Sequence, residues 1–114
     1  MNNKEFALLA AKTLSDKKAA DILAIDITEK ASFADYLIVA TGNSERQVNS
    51  LVDDVEEAFA KEGLFVKNIE GKQNSGWVLM DFGDIIVNVF TKEMREKYSI
   101  EKVWGDCSFL DIEE

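Results

Sequence analysis

The sequence contains no histidine, no proline and only one cysteine, Cys107. Without histidine, acid–base catalysis by an imidazole is excluded. Structural and catalytic zinc is held mainly by cysteine and histidine, so a zinc site is also disfavoured. A single cysteine cannot form an internal disulfide, and such sparing use of cysteine is typical of proteins from reducing compartments. We expect Cys107 to be an inert thiol, because no activating base accompanies it.

Positive charge is also scarce, since 13 basic side chains accompany 22 acidic ones and the net charge is −9. Proteins that bind nucleic acids normally present a basic face, so extensive contact with RNA or DNA is disfavoured. A basic protein surface is the better match for this chain. No apolar run reaches the roughly 18 residues that a membrane-spanning helix needs. We expect the first residues to form an amphipathic helix and not a signal or transit peptide.

The 114 residues, 46% of them hydrophobic, predict one folded domain over 1–114. The predicted element order is αββαβββαα, an α/β fold with a five-stranded mixed sheet. The strand–helix–strand unit after residue 36 predicts parallel strands joined by a crossover. Residues from about 107 to 114 are predicted to be a loose C-terminal tail. The predicted helices cover about 4–15, 44–62 and 91–98 with a further turn from 99, and the strands cover 22–28, 36–41, 65–69 and the two apolar runs within 77–90.

Helix ends are marked by residues that satisfy free backbone groups. Asn2 or Asn3 is expected to cap the first helix, and Ser44 with Gln47 is expected to form a capping box for the second. Gly63 follows the second helix at a position that favours the left-handed conformation. Later caps are predicted at Thr91 and Ser99.

The segment 77–90 predicts a β-hairpin, because Asp81-Phe82-Gly83-Asp84 separates two apolar runs. With Phe82 and Gly83 as the turn residues, the expected opposed pairs are Asp81 with Asp84, Leu79 with Ile86, and Trp77 with Asn88. One face of this hairpin is then entirely apolar and belongs to the core: Val78, Met80, Ile85, Val87 and Val89. The other face combines Trp77 and Leu79 with two carboxylates.

Directly opposed carboxylates weaken a hairpin, so we interpret Asp81 and Asp84 as residues that meet a cation. The cation is either a divalent metal or a partner's lysine or arginine, and a solvated turn is the alternative to both. Two carboxylates without a third ligand are too few to make a good metal site. Trp77 favours a protein interface, where tryptophan is enriched. Against this, helices that covered the face would make Trp77 a core residue.

The turn Thr41-Gly42-Asn43-Ser44 leads from a strand into a helix, where backbone amides can bind phosphate. Arg46 lies in the first turn of that helix, where its charge opposes the helix dipole. Ordinary helix capping accounts for this turn better than a phosphate site does.

A series of short motifs then follows in a characteristic order. They are Ala34-Asp35-Tyr36, Ala40-Thr41-Gly42-Asn43-Ser44, Arg46-Gln47-Val48, Glu70-Gly71, Trp77-Val78-Leu79-Met80-Asp81-Phe82-Gly83-Asp84, Val87-Asn88-Val89-Phe90 and Trp104-Gly105-Asp106. Together they resemble the ribosomal silencing factor family, also called the Iojap-like family. The resemblance covers about 6–106, nearly the whole chain.

The resemblance implies a cytoplasmic protein that binds the large ribosomal subunit through the large-subunit ribosomal protein numbered fourteen. Binding at that face would block joining of the small subunit and repress translation. The resemblance implies neither a catalytic step nor a cofactor or metal. It implies a homodimer when the protein is free, and it leaves open a minor contact with ribosomal RNA.

The family fold is related to that of nucleotidyltransferases, so an enzyme that transfers nucleotides is the alternative. Such enzymes open a helix with a Gly-Ser turn and hold magnesium with two aspartates on the next strand. Here Gly42-Asn43-Ser44 is an imperfect turn, and the strand predicted at 65–69 carries no carboxylate. Asp81 and Asp84 lie in a different element at a different spacing. We therefore predict that the chain is not an enzyme.

The expected partner-binding residues combine the carboxylates and apolar side chains of the hairpin. Phe82, where the family often has tyrosine, either touches the partner or shapes the turn. Asn88 stands where the family commonly has histidine. The full set is Trp77, Leu79, Asp81, Phe82, Asp84, Glu70 and Asn88.

Overall fold

The computed structural model describes residues 1–71 and 75–112. Within them three α-helices and a 3-10 helix accompany six strands. The helices are α1 (Asn3–Asp16), α2 (Glu45–Lys61), α3 (Lys92–Tyr98) and the 3-10 helix Ile100–Lys102. The strands are β1 (Ala20–Asp26), β2 (Tyr36–Gly42), β3 (Asn68–Glu70), β4 (Trp77–Asp81), β5 (Ile85–Thr91) and β6 (Ser108–Phe109).

The strands form one mixed sheet in the order β3-β4-β5-β2-β1-β6. Only β2 and β5 pair in parallel, and the other neighbours in this sheet are antiparallel. The α/β class is confirmed. The crossover from β2 through α2 reaches β3, which points the same way as β2 but is separated from it by β5 and β4.

The sheet has six strands and not the predicted five, because the beginning of the predicted loose tail is a strand. Ser108 and Phe109 pair with Asp26 and Ile25 of β1. The backbone amide of Leu110 donates to the carbonyl of Ala24 over 2.7 Å. The prediction of a loose tail was therefore wrong for this part, and residues 113–114 lie outside the described residues.

Helices α1 and α2 cover one face of the sheet. Their apolar residues recur at helical spacing, as the sequence pattern predicts, and they pack on alternate residues of the strands. The largest buried side chains in this core include Phe59, Leu14, Ile38, Leu51 and Met80.

The second face is covered by α3 and the 3-10 helix over only part of its width. A second cluster there contains Ile25, Leu37, Ile86 and Phe90, against which Met94, Ile100 and Trp104 pack. The cover lies over β1, β2 and β5, whereas the outward residues of β4 stay half-exposed. How much of this sheet face stays uncovered therefore depends on where α3 ends.

The predicted helix caps are mostly confirmed. Asn2 forms a capping box with Glu5 at the start of α1, and Thr91 caps α3. Gly63 follows α2 with φ of 85°. The box predicted for α2 is only half present, because Gln47 Oε1 accepts from the amide of Asn43 and not from that of Ser44.

Ser99 was predicted to cap the helix that follows it, but its side chain forms no capping hydrogen bond with the 3-10 helix. Its hydroxyl donates instead to the carbonyl of Glu96 over 3.0 Å. Ser99 has φ of 37°, a left-handed conformation that ends α3 and turns the chain into the 3-10 helix.

The hairpin of β4 and β5 exists, but its register differs by two residues from the prediction. Trp77 is opposite Phe90, Leu79 is opposite Asn88, and Asp81 is opposite Ile86. Asp81 and Asp84 are therefore not directly opposed. A shift of two residues preserves the faces, because side chains alternate with a period of two, so the predicted sorting of core and outward residues is confirmed.

No helix in the described ranges is both long enough and apolar enough to cross a membrane.

Candidate protein-binding surface

The outward face of β4 is the centre of the candidate site. Trp77, Leu79 and Asp81 are half-buried there, whereas Val78 and Met80, which alternate with them, are buried in the core. Strand alternation places the three half-buried side chains in one row along the strand. This row joins an aromatic ring, an aliphatic chain and a carboxylate on one accessible strip.

The edge strand β3 adds a second carboxylate to this strip. Glu70 pairs with Leu79, and Asn68 pairs with Asp81. Directly opposed residues of an antiparallel pair share a face, so the acidic groups of Glu70 and Asp81 flank Leu79. We call Glu70, Trp77, Leu79 and Asp81 the β4 strip.

Trp77 is held in a defined orientation. Its Nε1 donates to Asn88 Oδ1 over 3.0 Å. Its ring stacks on Phe90 with 5.0 Å between centroids and an interplanar angle of 27°. Tyr98, at the end of α3, lies against the same ring at 5.0 Å. The tryptophan thus offers a fixed apolar surface, which lowers the entropy that a partner must remove on binding.

A pocket of about 210 Å³ lies at this end of the strip and is lined by Glu70, Gly71, Trp77 and Leu79. Gly71 has φ of 85°, and a Cβ there would lie 2.1 Å from the carbonyl oxygen of Trp77. Only glycine fits this position. The motif Glu70-Gly71 therefore brings an acidic group beside an apolar wall.

The carboxylates of the strip are available to a cation. Within residues 1–71 and 75–112, neither Glu70 nor Asp81 is joined to a lysine or arginine by an ion pair. Asp81 Oδ1 accepts from the amide of Gly83 over 2.8 Å, which stabilises the turn. Glu70 is exposed, and its carboxylate accepts no hydrogen bond from the described residues.

Asp84 belongs to a different group of residues. Asn3 Nδ2 donates both to Asp84 Oδ2, over 3.1 Å, and to Asp35 Oδ2, over 2.9 Å. This amide ties the hairpin turn to the start of α1. The predicted direct opposition of Asp84 and Asp81 was wrong, because the turn is longer than two residues and Asp81 is opposite Ile86.

Phe82 and Asn88, two of the residues predicted to contact the partner, are both buried. Phe82 is 2% exposed and its ring lies 4.4 Å from that of Phe59 in the core. Asn88 is 1% exposed and accepts the hydrogen bond from Trp77. Neither side chain reaches the surface, so both support the strip from below.

Sequence reasoning missed Tyr98 and Gly71 as parts of the site. The available signal for Tyr98 was its spacing of four residues from Met94, which places both on one face of α3. That spacing indicates contact with the sheet but does not identify Trp77 as the neighbour.

A separate polar pocket of about 250 Å³ is lined by Asp26, Thr28, Glu29, Lys30, Asp106, Cys107 and Ser108. The Thr28 hydroxyl and amide donate to Asp26 and lower the pKa of that carboxyl below its ordinary value of 3.8. The ion pair of Lys30 with Asp106, 2.5 Å long, raises the pKa of Lys30 and lowers that of Asp106. Burial raises the pKa of the Tyr36 hydroxyl nearby.

Within the described ranges, no three or more Cys, Asp or Glu side chains lie close enough together to hold a metal ion.

The structure and the β4 strip define a small α/β protein with an accessible acidic and apolar surface on one sheet face.

Comparison with known proteins identifies the family. The model of the family described as "Ribosomal silencing factor during starvation" matches residues 1–114. A Bacillus subtilis protein named ribosomal silencing factor RsfS is 39% identical, over 99% of this chain and 96% of its own. The chain belongs to the ribosomal silencing factor family.

Two further relatives extend the comparison. A crystal structure of a Chromobacterium violaceum protein superposes with a TM-score of 0.89 at 37% identity, covering 92% of this chain and 88% of that one. The mouse protein named mitochondrial assembly of ribosomal large subunit protein 1 is 30% identical over 86% of this chain and 44% of its own.

Proposed function

We propose that this protein binds the large ribosomal subunit in the cytoplasm and sterically blocks joining of the small subunit, which represses translation. We propose the large-subunit ribosomal protein numbered fourteen as the docking partner. Membership of the ribosomal silencing factor family supports the ribosome as target. The name of the mouse relative, which refers to the ribosomal large subunit, supports the choice of subunit.

The observation that carries this proposal is the β4 strip. Trp77 and Leu79 offer apolar area that a partner can desolvate, and tryptophan is enriched among the residues that dominate binding energy. Glu70 and Asp81 border this area and lack ion pairs to lysine or arginine in the described parts of the chain. Such a surface is complementary to an apolar patch bordered by lysine or arginine, as on a basic ribosomal protein.

The proposed mechanism has no chemical step. A protein bound at the joining face occupies space that the small subunit needs, so the two compete by mass action. Because the interface between the subunits is much larger than the β4 strip, effective competition requires tight binding or a high concentration of the factor. A minor contact with ribosomal RNA would add to the affinity without changing this mechanism.

Sedimentation through sucrose gradients tests the proposal. The purified protein is mixed with separated large or small subunits, and the missing subunit is then added. We expect co-migration with the large subunit only, and fewer joined ribosomes as the protein concentration rises. No co-migration at low salt would contradict the proposal.

Matched charge variants test the surface. Glu70→Lys should weaken large-subunit binding by about tenfold or more, because it replaces attraction by repulsion at the rim of the apolar pocket. Glu57→Lys makes the same charge change on α2, on the opposite side of the sheet, and removes only the exposed pair with Lys61. It should bind almost as the parent does. Equal weakening by both variants would assign the effect to net charge and not to the β4 strip.

We also propose that the free protein is a homodimer that uses the β4 strip as its contact surface. Dimerisation would cover Leu79 and Trp77 when no ribosome is present. Analytical ultracentrifugation should show a mass that rises with concentration in the parent and stays monomeric in Leu79→Glu. A parent mass that stays monomeric at high concentration would overturn the dimer.

A further inference from the structure

Arg95 is a buried charged residue of α3, with 9% of its surface exposed. Its Nη1 donates to Thr41 Oγ1 over 2.9 Å and to the carbonyl of Asp21 over 2.8 Å. Its Nε donates to Glu101 Oε1 over 2.9 Å. One guanidinium thus connects α3 with β1, β2 and the 3-10 helix. A buried cation is tolerated only with such partners, so this arrangement defines one position for Arg95.

The carbonyl of Asp21 is accessible to Arg95 because of an irregularity in β1. The register of β1 against β2 shifts between Ala20 and Leu23, and Asp21 has φ of 49°. A bulged residue loses its ladder partner and needs another donor. Arg95 supplies that donor, so the bulge and the arginine depend on each other.

Helix α3 has only seven residues, from Lys92 to Tyr98. A helix of this length is not stable alone, and tertiary contacts determine its position. Arg95 is the contact near its middle. Tyr98, three residues later on the same side, packs on Trp77 at 5.0 Å. The position of the tyrosine ring therefore follows from where Arg95 holds the helix.

The hydrogen bonds of Arg95 are also connected to Trp77 through β2 and β5. Thr41, which accepts from Arg95, lies beside Phe90 in the parallel pairing of β2 with β5. Phe90 stacks beneath Trp77. Phe90, one of the residues that orient the Trp77 ring, is thus next to a group that Arg95 contacts.

We propose that Arg95, paired with Glu101, is the positioning residue of the partner surface: it holds α3 so that Tyr98 completes the apolar wall around Trp77. Arg95 acts through Tyr98 and Trp77 and does not itself touch the partner. The expected loss of partner binding rests on the proposed function, whereas the effect on Trp77 does not.

The test uses a Trp104→Phe background with selective excitation of tryptophan, because the chain has two tryptophans and this change leaves Trp77 as the only one. Arg95→Met combined with Glu101→Leu removes the network without leaving an uncompensated buried charge. We expect Trp77 emission to shift to longer wavelength and its quenching by acrylamide to increase. We also expect affinity for the large subunit to fall by about tenfold, the scale of a lost interface anchor.

Lys92→Met is the matched control, because it removes an exposed positive charge from the same helix. It should leave Trp77 emission unchanged and binding within about twofold, as for other exposed charges. If the double variant does not fold, Arg95→Lys tests the positioning role instead. Lysine keeps the charge beside Glu101 but loses the fork geometry, so it should increase quenching of Trp77 and weaken binding, both to a smaller degree.

The outcomes separate the two proposals. If the parent does not bind the large subunit, the proposed function fails, and the fluorescence result still decides the role of Arg95. If the parent binds and the network variants show unchanged emission, quenching and affinity, the positioning role is overturned. Increased quenching of Trp77 together with weaker binding supports it.

Discussion

At the scale of single residues, Phe82 combines a turn position with a core side chain. Its ring contacts Phe59, and 2% of its surface is exposed. Phe82→Ala should lower the free energy of unfolding by about 3–5 kcal/mol, because it leaves a cavity beneath the hairpin. Urea unfolding followed by circular dichroism measures this change.

Phe82→Leu is the control for this prediction and should cost less, since most of the apolar volume remains. A loss below about 1 kcal/mol for Phe82→Ala would mean that the ring is not packed as described.

Asp26 gives a prediction about pH. Hydrogen bonds from Thr28 lower the pKa of Asp26 below 3.8, so the folded state favours the ionised carboxylate. The resulting stability is present at neutral pH and is lost as the pH falls from the ordinary value of 3.8 through the folded pKa. In Thr28→Val the loss of the hydroxyl donor should raise the pKa of Asp26 toward 3.8. NMR titration of the carboxyl carbon measures it, and an unchanged pKa would contradict the assignment.

The sheet face on which a residue lies could be predicted from the sequence more easily than the exposure of its side chain. Leu79 and Asp81 are correctly placed on the outward face, because strand alternation requires only the order of residues. Phe82 could not be placed in this way, since a turn residue has no fixed face. Its burial depends on Phe59, which belongs to α2 and is distant in sequence.

At the scale of elements, β6 provides a short but informative pairing. It covers the edge of β1, where Ile25 and Asp26 are its partners. A chain that ends at Cys107 should lose this pairing and the hydrogen bond to Ala24, so the amides of β1 should exchange faster with solvent. Hydrogen exchange by mass spectrometry tests this, with a chain that ends at Ile112 as the control. Identical exchange in the two chains would mean that β6 does not protect β1.

The helix ends follow from local signals such as Asn2, Thr91 and Gly63, and the shared direction of β2 and β3 follows from the helix between them. The register of the β4–β5 hairpin did not, because Asp-Phe-Gly-Asp permits more than one loop length. The amide of Phe82 donates to the carbonyl of Ile85 over 3.0 Å, which closes the longer loop. Strand β6 was missed because two residues carry too little pattern to distinguish a strand from a tail.

At the scale of the whole molecule, the net charge of −9 should influence how fast the protein meets a basic partner. We expect the association rate with large subunits to fall by about tenfold between roughly 0.05 M and 0.5 M salt, while dissociation changes less. Stopped-flow light scattering or surface plasmon resonance measures both rates. A rate independent of salt would exclude electrostatic steering.

The candidate surface as a whole could be predicted only in part. The sequence indicates an aromatic and acidic face on the hairpin, but whether that face is free depends on where α3 ends. Helix α3 is short, and its position is set by contacts of Arg95 with Asp21 and Thr41, which are far apart in sequence from it. Such long-range contacts have no signature in local periodicity.

The hydrogen bond between Trp77 and Asn88 has a consequence for the behaviour of the surface in acid. The acceptor is an amide oxygen, which keeps its lone pairs at every physiological pH. A histidine at this position would accept this bond only while neutral, and its charge changes near pH 6.5. Trp77 therefore keeps this hydrogen bond when its surroundings acidify, and the β4 strip is built without a proton sensor at this position.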